Sequence, residues 1–152
     1  MIDAALAQKL VEVLKNDRVF PDMSWFRRDN DGNPVRLGQE SVVMYRQTGG
    51  SGPKFLNRPR GSLRTDFFLL EVFADDRDEC SRVKDILLDA FAGPVDPDEP
   101  SGWSTWGSPK SPCNVHWAEA DEPDSGAEFP DTEIHLIFRY VRMVLSVQWN
   151  KE

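Results

Sequence analysis

Residues 62–93 constrain the fold more than any other part of this chain, because they combine a strand pattern with a helix pattern without a break. The run 67–74 (FFLLEVFA) is apolar on both alternations except for one glutamate, which is typical of a strand that is covered on both faces. Asp76 then offers a carboxylate for a helix cap, and apolar residues recur at helical spacing until Gly93-Pro94. We therefore predict a buried strand at 67–74 and a core-facing helix at 76–92.

The rest of the chain predicts one further helix and several strands. An apolar stripe favours a helix over residues 2–15, and strand composition or alternation marks 41–48, 113–120 and 133–149. Glycine, proline and charged residues predict long irregular loops at 27–40, 49–65, 94–112 and 121–131, of which 27–40 is either a hairpin or a loop. The order indicates a single α+β domain, with an antiparallel or mixed sheet of about four or five strands and two helices on one face.

Length and cysteine usage predict a domain that folds by core packing. A chain of 152 residues can bury most of the surface that its unfolded form exposes. Cys80 and Cys113 are too few for a disulfide framework, which favours a reducing compartment. Because the N-terminus lacks a basic leader and no segment approaches the roughly 20 apolar residues of a membrane span, we expect a protein that is cytosolic where it is made.

Charge is unevenly distributed along the chain. The net charge is −8, yet residues 18–64 carry nine Lys/Arg against four Asp/Glu, a net charge of +5. Residues 66–133 carry four Lys/Arg against eighteen Asp/Glu, a net charge of −14. An acidic chain is a poor candidate for DNA binding by phosphate neutralisation, whereas opposite signs on different regions suit head-to-tail contact between copies of one protein.

Two weak patterns could supply a catalytic or metal site. A zinc site would have to combine the Cys113-x-x-His116 pair with Cys80 and His135, and one close pair is little evidence for metal, so we expect neither a metal nor a cofactor. A metal-dependent nuclease would draw on acidic residues on or near predicted strands, namely Asp66, Glu71, Glu119 and Asp121. Phe73 stands where a restriction-type nuclease motif has lysine, and no nucleotide-binding or nucleophile motif is present, so we expect a protein that is not an enzyme.

Candidate contact residues lie in two of the predicted loops. The first loop carries four cationic side chains and one aromatic ring, which are Lys54, Phe55, Arg58, Arg60 and Arg64. These residues are either a solvated loop or a contact with acidic protein surfaces. Trp103 and Trp106 lie in the second loop, where tryptophan serves as a loop anchor or as part of an interface.

The order of these pieces resembles the tail terminator and tail-completion proteins of long-tailed bacteriophages. The shared layout is a short N-terminal helix, a V-V-x-Y strand at Val42–Tyr45, a Gly/Pro/Arg loop, the FFLLEVFA strand with its acidic-capped helix, and the long terminal strand YVRMVLSVQW at 140–149. The resemblance covers nearly the whole chain. Its two Pro-rich stretches, 27–40 and 94–112, are longer than the family pattern requires.

The resemblance implies a structural virion protein and not an enzyme. Such a protein assembles into a ring, usually a hexamer, that caps the head-proximal end of the tail tube, ends tail growth and docks the tail to the neck. Its partners would be further copies of itself, the tail tube protein and a neck or head-completion protein, with DNA only in passage through the channel and no membrane. The alternatives are a head-completion or neck connector protein of the same virion and, further away, the nuclease.

Overall fold

Two α-helices and a seven-stranded sheet make up most of the regular structure in the part of the chain that the structure describes. The computed structural model describes residues 2–38, 40–54, 63–95, 104–121 and 138–151. The helices are α1 (Ile2–Leu14) and α2 (Arg77–Ala90), and a short 3₁₀ helix spans Met23–Trp25. The strands are β1 (Val19–Phe20), β2 (Val42–Lys54), β3 (Leu63–Ala74), β4 (Ala92–Pro94), β5 (Ser104–Trp106), β6 (Cys113–Asp121) and β7 (Arg139–Lys151). The predicted α+β class is confirmed, with more strands than the four or five expected.

The sheet is mixed and is built around its longest strands. Its order is β1-β2-β3-β7-β6-β4, with β5 beside β4 on the same edge of β6. Only β1 runs parallel to its neighbour, β2, and all other pairs are antiparallel. In the centre, Glu71 of β3 stands opposite Met44 of β2 and Arg142 of β7. The strand that sequence analysis places at 67–74 is therefore central, which explains its nearly continuous apolar composition.

Both helices pack on one face of the sheet, as predicted. Asp76 caps α2 by accepting a hydrogen bond from the Asp78 backbone, and Phe91 ends the helix. The apolar stripes of both helices face alternate residues of the central strands, where the main core lies. This core includes Leu6, Leu10, Phe68, Leu70, Val72, Val83, Leu87, Met143, Leu145 and Val147.

The opposite face of the sheet, here called the outer face, is covered at one end by aromatic side chains. Trp25 packs against Phe73 of β3 at a ring-centroid distance of 4.9 Å and against Phe138 at 5.6 Å. Phe26 meets both Trp25 and Phe138 edge-on. A second, smaller core therefore fixes the segment after β1 against the sheet.

The prediction of a loop throughout 49–65 is wrong at both ends. Gly49 and Gly50 continue β2 to Lys54, and β3 begins at Leu63, before the predicted strand. Backbone hydrogen bonds to β3 hold this segment in the sheet, and a register shift between Gln47 and Gly49 accommodates it. At Gly50 the Asp66 carboxylate occupies the space that a Cβ would need, so a larger residue there would force this carboxylate to shift. Residues 55–62 lie outside the described part.

Smaller corrections concern the other predicted loops and the last strand. The stretch 94–112 contains β5, and the end of β4 lies at Pro94. Within 27–40, an isolated bridge joins Arg28 and Pro34, in keeping with a hairpin-like turn. The last strand begins at Arg139, and residues 133–137, like 122–131, lie outside the described ranges. Neither helix is long and apolar enough to span a lipid bilayer.

Candidate interaction surface

Within the part of the chain that the structure describes, the predicted contact residues do not form one surface. Arg64 is exposed at the start of β3, and its guanidinium carbon lies 5.8 Å from the centroid of the Trp149 ring. Trp106 is only 3% exposed and packs against Phe91, so its ring belongs to the core and offers almost no surface to another molecule. Lys54 ends β2. The remaining predicted residues, Phe55, Arg58, Arg60 and Trp103, lie outside the described part.

The acidic residues considered for a nuclease are not brought together. Side chains alternate along β3, so Asp66 points to the helix-covered face and Glu71 to the outer face. Glu119 accepts a hydrogen bond from the Trp117 indole at 3.2 Å, on another strand. Because the two carboxylates of β3 lie on opposite sides of the sheet, they cannot hold one catalytic metal ion between them.

Both cysteines are free thiols in the core. Cys80 donates a weak hydrogen bond to the Val72 carbonyl at 3.8 Å, and burial raises its pKa to about 11. Burial also raises the pKa of Cys113. Zinc binds the thiolate, which these surroundings disfavour. Across the described ranges, no group of three His, Cys, Asp or Glu side chains is arranged to hold a metal ion, and His135 falls outside those ranges.

Asp66 anchors a polar network beneath the end of the hairpin formed by β2 and β3. Its side chain is buried, and its two carboxylate oxygens accept hydrogen bonds from the Gln47 amide at 2.7 Å and from the Trp149 indole. Three strands are thereby joined through side chains as well as through their backbones. This network fixes the start of β3, where Arg64 lies, against β2 and β7.

The buried carboxylate of Glu71 and the half-buried side chain of Tyr140 form a second polar pair, on the outer face. The Tyr140 hydroxyl donates to Glu71 Oε2 at 2.6 Å, and Glu71 is 1% exposed. Burial raises the pKa of Tyr140, and the hydrogen bond to Glu71 and the carboxylate charge raise it further. Arg142 is the cross-strand neighbour of Glu71. The pair therefore places an ionisable carboxylate between the aromatic cluster and the open part of the outer face.

Replacing Tyr140 by phenylalanine should cost about 1.5–3 kcal/mol, because a buried carboxylate loses a hydrogen bond. Tyr45→Phe is the matched control, since Tyr45 is the only other tyrosine and is half-buried on the helix-covered face. The folded-state pKa of Tyr140 is raised, so its contribution is complete below the unfolded pKa of about 10 and is lost as pH rises above it. Urea titrations at pH 8 and pH 11 should show that wild type loses more stability than Tyr140→Phe between the two; equal losses would contradict this reading.

The open part of the outer face carries apolar residues between opposite charges. Phe67 and Val144 are 39% and 37% exposed on adjacent strands. Arg46 on β2 is exposed and lies to one side of them, and Asp121, at the end of β6, is exposed on the other side. The surface therefore changes from basic to acidic across the sheet, with an apolar strip between.

The charge segregation of the sequence is only partly separated by the sheet. Residues 18–64, with net charge +5, supply β1 and β2 on one side of the sheet. Residues 66–133, with net charge −14, supply β4, β5 and β6 on the other side, but also most of β3, which lies beside β2, and α2, which packs over β3 and β7. On the outer face, Arg46 and Asp121 mark the two sides by exposed charges of opposite sign.

The basic side also has an unpaired sheet edge. β1 pairs with β2 only at Val43 and Met44. From Tyr45 to Lys54, no strand in the described part of the chain pairs with the outer edge of β2. Such an edge presents backbone donors and acceptors to a partner chain.

Sequence reasoning missed both buried carboxylate networks and the role of Trp25. The available signals were weak: a lone aspartate at the start of a strand, a lone glutamate within it, and a Trp25-Phe26 pair before a turn-rich stretch. Their partners, Trp149, Tyr140 and Phe138, lie 83, 69 and more than 100 positions away. No protein-family model matches this chain, and no curated protein matches it.

Proposed function

We propose that this protein is a structural virion protein that forms a hexameric ring at the head-proximal end of a phage tail tube. In this role it caps the tube, ends tube growth and docks the tail to the neck. The order of elements that resembles the tail terminator proteins supports the proposal, as does a fold in which the strand carboxylates serve internal hydrogen bonds. The partners are neighbouring copies, the tail tube protein and a neck protein.

The observation that carries the proposal is the placement of two exposed, opposite charges, Arg46 and Asp121, on opposite sides of the outer face. A copy whose basic side meets the acidic side of the next copy makes a head-to-tail contact, which closes into a ring when the rotation between copies permits. Arg46 and Asp121 are both exposed to solvent, one on each of these two sides. Complementary charge favours this orientation over contacts between like sides.

The test is a charge exchange between Arg46 and Asp121. Arg46→Glu and Asp121→Lys should each weaken self-association by about fivefold per contact, equivalent to about 1 kcal/mol for an exposed charge pair. Because each contact in a head-to-tail ring uses both positions, the double variant should recover association. The effect should grow as salt is lowered, because screening decreases. Native mass spectrometry and sedimentation velocity measure the ring, and circular dichroism checks the fold.

An equal mixture of the two single variants supplies an internal control. If the contact is head-to-tail, the glutamate introduced at position 46 of one variant can pair with the lysine introduced at position 121 of the other. Mixed rings in which the two variants alternate should therefore be enriched. A double variant no better than the singles would contradict this contact. A wild-type protein that stays monomeric at high concentration and on tail tubes would contradict the ring itself.

The cationic residues predicted to make contacts within 49–65 are tested separately. Changing Arg58, Arg60 and Arg64 to glutamate should leave the circular dichroism spectrum unchanged and weaken capping of isolated tail tubes, more so at low salt. Binding to tail tubes supports a terminator, whereas binding only to portal-bearing heads would assign the protein to the neck instead. Unchanged capping by the triple variant would show that these three arginines do not take part in capping.

A further inference from the structure

A pocket of about 320 Å³ lies between β1, the 3₁₀ helix and the segment that returns towards β2. Its apolar lining consists of Phe20, Trp25, Val35 and Leu37. The volume is at the lower end of the range for small-ligand sites, roughly 300–1,000 Å³, and suits one large side chain with its flanking backbone. Neither of the buried carboxylate networks contributes to it.

Ser24 and three arginines, Arg18, Arg27 and Arg36, complete the lining, and none of the eight lining residues is acidic. Arg18 is held in place because its guanidinium donates to the Leu37 carbonyl at 3.1 Å and lies 3.4 Å from a Glu40 carboxylate oxygen. Arg27 and Arg36 are exposed. A guanidinium matches a carboxylate with two parallel hydrogen bonds, so the pocket is equipped for negatively charged groups beside an apolar one.

The aromatic part of the pocket is rigid. Trp25 is 8% exposed, and its ring is in contact with Phe73, Phe138 and Phe26 at centroid distances of 4.9, 5.6 and 6.0 Å. The Asp75 carboxylate accepts hydrogen bonds from the backbone amides of Leu37 and Gly38, which fastens the opposite wall to the end of β3. A preformed cavity loses little conformational entropy when it is filled.

We propose that this pocket, hereafter the arginine pocket, binds an acidic peptide segment of a partner protein that carries one large apolar side chain. The apolar side chain lies against Phe20 and Trp25, and flanking carboxylates pair with Arg27 and Arg36. Nucleic acid fits less well, since it needs an extended basic surface and this chain has a net charge of −8. The proposal goes beyond the ring and does not depend on it.

The test uses three dye-labelled heptapeptides and fluorescence anisotropy. The sequence DEDFEDE should bind, whereas DEDAEDE, which lacks the ring, and NQNFQNQ, which lacks the charges, should each bind at least tenfold more weakly. In the protein, Arg27→Glu with Arg36→Glu should weaken binding of DEDFEDE at least tenfold. Arg77→Glu with Lys110→Glu changes the net charge equally at exposed positions outside the pocket and should have little effect.

Several results would overturn the proposal. Equal binding of DEDFEDE and DEDAEDE would show that charge alone is recognised and that the cavity is not used. Tighter binding of a labelled single-stranded oligonucleotide, abolished by the same arginine changes, would assign the site to nucleic acid. Release of self-associated protein by DEDFEDE but not by DEDAEDE would show that the occupant is a second copy. Because Kd is measured on dilute protein, failure of the ring proposal leaves this test intact.

Discussion

Leu87→Ala should destabilise the protein by about 2–5 kcal/mol, the range for truncation of a fully buried leucine. Leu87 is 0% exposed on α2, and this helix packs its buried residues against the central strands β3 and β7. Truncation leaves a cavity that the sheet cannot fill by relaxing, because β3 is paired along most of its length on both edges. The measurement is a urea titration, with an unchanged m-value as evidence that the denatured state is unaltered.

Leu88→Ala is the matched control for this change. Leu88 is one position further on the same helix and is only partly buried, so its truncation should cost clearly less. Each kcal/mol should also lower Tm by about 2–4 °C in a chain of this size. A loss below about 0.5 kcal/mol at Leu87, or a larger loss at Leu88, would show that the buried face of α2 is assigned incorrectly.

Asp66→Ala is expected to have the second large effect, a loss of about 2–4 kcal/mol, because two donors lose a charged acceptor and the Trp149 indole is buried. Asp66→Asn keeps the shape and one acceptor oxygen and should cost less. The damage should be greatest at the base of the β2–β3 hairpin. Hydrogen exchange should therefore show faster exchange for the backbone amides of 47–50 and 64–67 than for those of α2.

A double-mutant cycle with Trp149→Phe isolates the hydrogen bond. If the Asp66–Trp149 contact carries the effect, Asp66→Ala should cost at least 1 kcal/mol less in the Trp149→Phe background than in wild type. Additive losses would show that Asp66 acts through Gln47 or through packing alone. Gly50→Ala provides an independent check, because an added Cβ would collide with the same carboxylate and should destabilise the hairpin.

The Asp66 network has a consequence for assembly tests at the neighbouring arginine. It ties β2, β3 and β7 together through Gln47 and Trp149. Arg64 lies over Trp149, a member of that network. Variants of Asp66 should therefore be avoided when Arg64 is tested for assembly, because a loosened network would alter its position indirectly.

The sequence by itself determined the elements whose patterns are local. The stripe of α1, the cap and stripe of α2, and the alternation of β7 each reflect a repeat of 3.6 or 2 residues. Both helices lie within two residues of their predicted bounds, and β7 covers Arg139–Lys151 of a strand predicted at 133–149. Burial of Leu87 and of Val147 follows from the same repeats. The difference in net charge between the two parts of the chain also follows from the sequence, because it requires only a count of charged residues.

Only the tertiary structure decided the positions of residues that belong to no local repeat. Glycine has low strand propensity, so Gly49 and Gly50 predict a loop, yet backbone pairing with β3 along a long hairpin outweighs a preference of about 1 kcal/mol. The sequence makes Trp106 a candidate for an interface, whereas β5 places it in the core. Asp66 and Glu71 are separated by the alternation of β3, but their donors come from strands distant in sequence. Such pairings arise from strand order and register, which depend on the free energy of the whole sheet and leave no repeat in the local sequence.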